Sequence, residues 1–308
     1  MKSLFAKPEP SVFWPLALAL VFISLVFGGC TSALPYRLDP ATADRVGEVN
    51  AELCVENDGI AIQVLASGYG EGGGLIGALI DAGVESKRKK EALKTAAPLK
   101  AGTRDIDFRE ALRTALLPMM KGLSWPQVID MKAKAKSAPI TQADVNERAF
   151  LEIHSIYHLS PTAEVLEIST GFALYPRGVT QAAVLGSVRY SSERIGTCEE
   201  NDAAIALWAE NDAAAYRRAL RQGIEETVKM LYVALPYAGG RSAPRPADEL
   251  KKIKIRISHG RGDYGFKQPG MTVSGWVIEE NERRLIFQSR FGGFISFPRS
   301  DIVVPAGG

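Results

Sequence analysis

The fold of this chain is decided by Phe150-Leu-Glu-Ile-His-Ser-Ile-Tyr-His158 and Ala163-Glu-Val-Leu-Glu-Ile-Ser-Thr-Gly-Phe-Ala-Leu-Tyr175. Polar and apolar residues partly alternate along both stretches, and β-branched and aromatic residues are frequent, as in strands that bury one face. The turn Leu159-Ser-Pro-Thr162 lies between the two stretches. This pattern predicts a β-hairpin, and Val184–Tyr190 predicts a third strand.

Helical patterns flank the three strands. The stretch Asp105–Pro118 predicts an amphipathic helix that Pro118 ends or kinks, because proline lacks the backbone N–H. A longer helix is predicted after the third strand, where apolar residues recur near helical spacing up to Leu235. Asn211 or Asp212 is the expected N-cap of this helix, since short polar side chains accept hydrogen bonds from the first turn.

The C-terminal part of the chain has a different pattern. Pro236-Tyr-Ala-Gly-Gly-Arg-Ser-Ala-Pro-Arg-Pro-Ala247 is typical of a linker. Beyond it, short β patterns separated by turns predict a small SH3-like barrel. Aromatic residues are dense there and could either bind an extended chain or form the barrel core: Tyr264, Phe266, Trp276, Phe287, Phe291 and Phe294.

Two further short strands are predicted, at Ile60–Ala66 and Trp125–Met131. The predicted fold class is therefore α+β, a mixed sheet packed with helices and followed by a small all-β barrel. The chain divides into a signal segment at 1–29, a tether at 30–58, an α+β domain at 59–235, a linker at 236–248 and the barrel at 249–308.

An apolar run near the N-terminus ends in a cysteine: Leu16-Ala-Leu-Ala-Leu-Val-Phe-Ile-Ser-Leu-Val-Phe-Gly-Gly-Cys30. Lys2 and Lys7 precede the run. A basic start, an apolar stretch and a small-residue junction are typical of an export signal. The cysteine directly after Gly28-Gly29 resembles the lipobox of bacterial lipoproteins.

This resemblance implies that residues 1–29 are a signal peptide and that Cys30 is lipidated and becomes the first mature residue. Thr31 stands where members retained in the inner membrane usually have Asp, which implies a lipid anchor on the periplasmic face of the outer membrane. The alternative is an uncleaved signal anchor in the inner membrane, because the apolar run approaches the ~20 residues that a bilayer core requires. Either anchor places the body of the protein outside the cytoplasm.

With Cys30 lipidated, two cysteines are left in the chain, Cys54 and Cys198. A disulfide between them is plausible in an oxidising periplasm, and two separate thiols are the alternative. No C-x-x-C or H-E-x-x-H spacing occurs, so the sequence predicts no metal site and no cofactor.

A glycine-rich segment spans Gly68–Gly83. It lacks the G-x-x-x-x-G-K-[ST] pattern of a phosphate-binding loop. Two interpretations are left open: a loop leading into a helix packed on the core, or a helix that packs closely against another helix or a membrane. The second depends on glycines at small-xxx-small spacing, Gly70, Gly73, Gly74 and Gly77.

The remaining candidate residues give weak signals for chemistry. His154 and His158 would share one face of a strand about 13 Å apart, too far to bind one ion, and are expected on the solvent face. Ser258, His259 and Asp263 are neighbours at a turn, but adjacent turn residues rarely form a serine triad.

The formal net charge of +2 gives no electrostatic case for nucleic-acid binding. These observations predict a non-catalytic envelope lipoprotein that acts as a scaffold or accessory factor. Its expected partners are the membrane, through its lipid, and an envelope protein. The alternatives are a membrane-active or oligomerising protein that uses the glycine-rich helix, and an envelope hydrolase whose site has no recognisable motif.

Overall fold

The computed structural model describes residues 38–55, 59–63, 74–198, 200–238, 251–257, 272–289 and 293–303, with backbone only at 40, 74–86, 89, 237–238, 256–257 and 303. The strands are β1 Glu48–Val55, β2 Gln127–Lys134, β3 Ala149–Leu159, β4 Leu166–Tyr175, β5 Val184–Ser191, β6 Lys252–Ile257, β7 Thr272–Glu280, β8 Arg284–Ser289, β9 Phe294–Pro298 and β10 Ile302–Val303. The helices are α1 Pro40–Asp44, α2 Gly74–Gly102, α3 Phe108–Gly122, α4 Gln142–Val145 and α5 Asn201–Ala238.

The strands form one mixed sheet in the order β10-β6-β7-β8-β9-β5-β4-β3-β1-β2. β1 lies between β2 and β3 and is parallel to both. β3, β4 and β5 are antiparallel, as the predicted hairpin and third strand require. A mixed sheet packed with helices confirms the α+β prediction.

The main hydrophobic core lies between one face of this sheet and the helices. Along β3, Leu151 and Ile153 point to this side and are fully buried. The buried stripe of α3 packs here through Leu112 and Leu116. Their spacing of four residues puts both side chains on one face of the helix, which is why the amphipathic pattern identified the helix from sequence.

Two helices differ from their predicted courses. α3 continues through Pro118 to Gly122 instead of ending there, because Leu116 and Met120 are both buried on its inner face. α5 consists of two helical segments separated by non-helical backbone from Glu210 to Ala213, so the predicted helix corresponds to the second segment, and a further segment that begins at Asn201 precedes it. Asn211 and Asp212 have φ of 52° and 58°, a left-handed conformation that Asn and Asp adopt more readily than most residues.

The stretch predicted as a tether, residues 30–58, contains a core strand. β1 has Leu53 and Val55 fully buried and is hydrogen-bonded on both sides. Its sequence alternates polar Glu48, Asn50 and Glu52 with apolar residues, so the pattern of a strand was present in the segment that was assigned to a tether. Of the predicted strand at Ile60–Ala66, the described part contributes one isolated bridge between Ile62 and Leu159.

The predicted closed barrel is not confirmed. β6 to β9 form an antiparallel meander, and β10 returns to pair with β6 after the 3₁₀ helix Arg299–Asp301. Instead of closing on β10, β9 pairs in parallel with β5. These strands do have a hydrophobic cluster of their own, centred on Phe287 and Phe297.

Arg284 joins the C-terminal strands to the rest of the sheet. This buried side chain donates to the backbone oxygen of Ser191 at 2.7 Å and to both the hydroxyl and the backbone oxygen of Ser296 at 2.9 Å. Its guanidinium lies 4.5 Å from the centre of the Tyr190 ring, a cation–π distance. The Ser296 hydroxyl in turn donates to Glu226 on α5 at 2.8 Å.

Candidate functional site

The face of β3, β4 and β5 that points away from the helices carries polar side chains, and we call it the polar face. It arises from strand alternation: residues at even positions of β3 lie on the side opposite Leu151 and Ile153. The register then places their partners from β1, β4 and β5 beside them. The polar face consists of Glu52, Cys54, Glu152, His154, Ile156, His158, Glu167, Ser169, Tyr175, Leu185, Ser187 and Arg189.

One end of the polar face is organised around the buried carboxylate of Glu152. It accepts hydrogen bonds from the Ser137 hydroxyl at 2.5 Å and from the Tyr175 hydroxyl at 3.2 Å. Burial raises the pKa of Tyr175, and the neighbouring carboxylate of Glu152 raises it further. The Tyr175 hydroxyl therefore keeps its proton and acts as a hydrogen-bond donor.

Beside this group, Glu52 of β1 forms an ion pair with Lys134 of β2, with 2.5 Å between Oε2 and Nζ. The hydrogen bond to Glu52 raises the pKa of Lys134. Lys134 therefore stays charged at neutral pH, where it pairs with Glu52.

The other end contains a buried histidine–carboxylate pair. His158 Nε2 lies 3.2 Å from Glu167 Oε2. The second oxygen of this carboxylate, Oε1, is buried without a hydrogen-bond partner, and so is the Ser191 hydroxyl. Glu167 and Ser191 are register partners on β4 and β5, so the row across three strands runs His158, Glu167, Ser191.

This row does not have the order of a catalytic triad. In a triad the histidine lies between the nucleophile and the carboxylate, where it can take the hydroxyl proton. Here the carboxylate occupies the middle strand. The arrangement leaves a buried hydrogen-bond acceptor, Glu167 Oε1, beside the Ser191 hydroxyl.

The polar face also exposes two apolar side chains. Ile156 and Leu185 are 37% and 42% exposed, and Leu185 lies in the same row of the sheet as Glu152. Arg189 lies in the row of Ile156 and donates to the Ser169 hydroxyl between them at 3.1 Å. Apolar side chains framed by positioned polar groups are the composition of a recognition surface.

The histidines illustrate what sequence reasoning found and missed. His154 and His158 share one face of β3, as the strand prediction required. His158 is not on the solvent face, however, because Glu167 covers it from β4. The signal for such a partner was the run of acidic and hydroxyl residues at alternate positions of the second hairpin arm, Glu167 and Ser169.

Of the two alternatives for these cysteines, the structure contains the separate thiols, since neither Cys54 nor Cys198 is in a disulfide. β3 and β4 lie between β1, which carries Cys54, and β5, which Cys198 follows. Cys198 is instead held near the start of β4, where its backbone N–H donates to Glu164 at 2.7 Å. Neighbouring strands lie about 4.8 Å apart. Because β3 lies between β1 and β4, the Cα atoms of Cys54 and Cys198 are farther apart than a disulfide can span.

Several predicted site residues lie outside the described residues: Cys30, Gly70, Gly73, Ser258, His259, Asp263, Tyr264, Phe266 and Phe291. Gly74 and Gly77 lie in the first turns of α2. Phe287 and Phe294 are buried, which supports the core interpretation of the C-terminal aromatics over the binding one, while Trp276 is half-buried.

Within the described ranges, no three His, Cys, Asp or Glu side chains are grouped closely enough to hold a metal ion. Among the described helices, none is both long enough and apolar enough to cross a membrane.

Comparison with known proteins does not identify a family. No family model and no curated protein matches the sequence. One solved structure, titled "Crystal structure of uncharacterized protein", aligns over 60% of this chain and 95% of its own, with 12% identity and a TM-score of 0.22.

Proposed function

We propose that this protein is a lipid-anchored envelope protein that acts as a non-catalytic scaffold or accessory factor and binds its partner through the polar face. The observation that carries the proposal is the exposure of Ile156 and Leu185 on the same face as polar groups that are already paired. Groups held in place before binding lose little conformational freedom when a partner arrives.

The sequence before the folded body supports the anchor. The apolar run that ends at Cys30 resembles a lipoprotein signal, and lipidation of Cys30 would attach the body to a membrane. Each acyl methylene buried contributes about 0.8 kcal/mol, so several chains hold a protein stably. On this proposal the protein resides on the periplasmic face of the outer membrane.

The proposal includes an SH3-like arrangement of the last five strands. The meander β6–β9, the 3₁₀ helix and the return of β10 to β6 support it. Hydrogen exchange followed by mass spectrometry tests whether β6–β10 open together as one unit. Exchange of β9 together with β5, and apart from β6–β8, would contradict the arrangement.

The anchor is tested by the intact mass of the protein from purified membranes, wild type beside Cys30→Ala. We expect a mature chain that begins at Cys30 and carries acyl mass, and we expect the acyl mass to be absent from the variant. A full-length chain without acyl mass would contradict the lipid anchor and favour the signal anchor.

Partner binding is tested by placing a photo-crosslinking amino acid at Ile156 and Leu185 in living cells. The matched controls are Leu93 on α2 and Tyr232 on α5, which are 54% and 52% exposed but belong to helices. We expect a discrete protein adduct from the two positions on the polar face and none from the controls. Equal adducts from all four positions, or adducts from the helices alone, would reject the polar face as the binding surface.

A further inference from the structure

A cavity of about 120 Å³ lies near the C-terminal ends of β1 and β3. It is bounded by Gly59, which follows β1, by Tyr157 near the end of β3, by Lys100 and Arg104 around the end of α2, and by Tyr216 of α5. β1 and β3 are parallel, and ligands of α/β proteins often bind where parallel strands end. In the same measure one water needs about 10–15 Å³, so the cavity has room for several non-hydrogen atoms.

The lining carries two cations and no carboxylate. Within the described residues, neither Lys100 nor Arg104 forms an ion pair. Asp105, which directly follows Arg104, is engaged by Arg217, with bonds of 2.7 and 2.9 Å. The positive charge at the cavity is therefore not neutralised by these neighbours.

Two backbone carbonyls at the end of α2 already accept hydrogen bonds and so repel an anion less. α2 ends at this cavity, and the last carbonyls of a helix carry negative partial charge. The Leu99 oxygen accepts the Thr103 hydroxyl at 2.8 Å, and the Gly102 oxygen accepts the Arg217 guanidinium at 3.2 Å.

Tyr157 and Tyr216 line the cavity and are packed against other aromatic rings. Both are almost fully buried. The Tyr157 ring centre lies 4.1 Å from that of Phe108, and the Tyr216 ring meets Trp208 edge to face at 6.4 Å. Burial raises the pKa of Tyr216, with a smaller contribution from Tyr157, so its hydroxyl stays protonated and able to donate.

Gly59 allows the lysine to approach the cavity. A Cβ on this residue would lie 3.0 Å from Lys100 Cε and 3.5 Å from its Nζ. An alanine at this position would therefore push the flexible end of Lys100 aside by a few tenths of an ångström while leaving every charge in place.

We propose that this cavity binds a small oxyanion of the phosphate class, held by Lys100 and Arg104 and by a hydrogen bond from Tyr216. The anion could be free phosphate or the phosphoryl group of a lipid. This site is separate from the polar face, and the proposal does not depend on partner binding there.

The test uses the purified full chain and two probes: inorganic phosphate, and vesicles that contain phosphatidate in a neutral lipid. Binding of phosphate is followed by titration calorimetry at constant ionic strength, and binding of vesicles by co-flotation. Lys100→Met and Arg104→Gln are compared with Lys94→Met, a matched control on the exposed part of the same helix.

We expect at least one probe to bind, with affinity reduced tenfold or more by Lys100→Met and by Arg104→Gln and unchanged by Lys94→Met. Gly59→Ala should reduce affinity several-fold. Binding of phosphate would identify a free anion as the ligand, and binding of the vesicles alone would identify a headgroup. No binding of either probe by a folded wild-type chain would overturn the proposal. Binding that Lys100→Met, Arg104→Gln and Gly59→Ala all leave unchanged would overturn it as well.

Discussion

The two faces of β3 are built from the same strand and differ in what covers them. Toward the helices, Leu151 and Ile153 are fully buried in the main core. On the polar face, Glu152 and His158 are buried as well, but each is held by a partner from a loop or a neighbouring strand. The apolar face stabilises the fold through burial alone, whereas the polar face does so only while its hydrogen bonds are kept.

The difference is sharpest between two isoleucines of the same strand. Ile153→Ala removes methyl groups from the closed core and leaves a cavity, so we expect it to lower the free energy of unfolding by about 2–5 kcal/mol. Ile156→Ala removes a side chain that is 37% exposed, and we expect a loss below about 1 kcal/mol. Urea denaturation of both variants measures the two losses, and equal losses would mean that the faces do not differ as described.

The polar face is tested at Glu152. Glu152→Ala leaves the buried Tyr175 hydroxyl without its acceptor, and we expect a loss of about 1–3 kcal/mol. Tyr175→Phe removes the donor but leaves Glu152 bonded to Ser137, so we expect about 1 kcal/mol. The same denaturation experiment compares them, and a larger loss from Tyr175→Phe would reverse the assigned roles.

Alkaline pH is expected to destabilise the protein through both faces, because buried tyrosines occur on each of them. Burial raises the pKa of Tyr175 on the polar face and of Tyr190 and Tyr216 on the helix side above the usual 10.0 of tyrosine. A raised pKa means that the folded state keeps protons which the unfolded state has lost. Their contribution to stability is therefore complete below pH 10 and declines as the pH rises above it.

We expect the wild-type protein to become steadily less stable above about pH 10. Replacing any one of the three tyrosines by Phe should reduce the slope of stability against pH, and the three single replacements should have similar effects. Denaturation midpoints between pH 9 and 12 measure this slope. A slope that none of the replacements changes would show that these hydroxyls already ionise freely in the folded protein.

The smallest effect is expected at an exposed ion pair on the helix side. Arg217 of α5 binds Asp105, and its hydrogen bond lowers the pKa of that carboxyl. A lowered pKa stabilises the fold above the usual value of 3.8 and ceases to do so as the pH falls through the folded value. Asp105→Asn should therefore lower the melting temperature slightly at pH 7 and leave it unchanged in strong acid.

Thermal melts of Asp105→Asn and wild type at pH 7 and in strong acid test this expectation, with Glu282→Gln as a control on an exposed carboxylate of a turn. A difference between Asp105→Asn and wild type that persists in acid would have to come from something other than the charge of Asp105.

The strands that sequence analysis identified best are those with one apolar and one polar side. β3, β4 and β5 show period-two alternation, and α3 shows a helical stripe, so local pattern alone was sufficient for them. β1 was assigned to a tether although Glu48, Asn50 and Glu52 alternate with apolar residues, so its local pattern indicated a strand that sequence analysis missed. The barrel was predicted as closed because short strands and turns do not reveal that β9 pairs with β5.

Residues close together in the chain were enough to predict the α+β class, the hairpin and third strand, and the amphipathic helix. Which side chains come into contact depends on the three-dimensional fold. His158 and Glu167 are nine residues apart, Glu152 and Tyr175 are 23 apart, and Arg217 reaches Asp105 across 112 residues. Strand register and helix packing produce these contacts. The same long-range geometry separates Cys54 from Cys198, and it places Lys100, Arg104 and Tyr216 around one cavity.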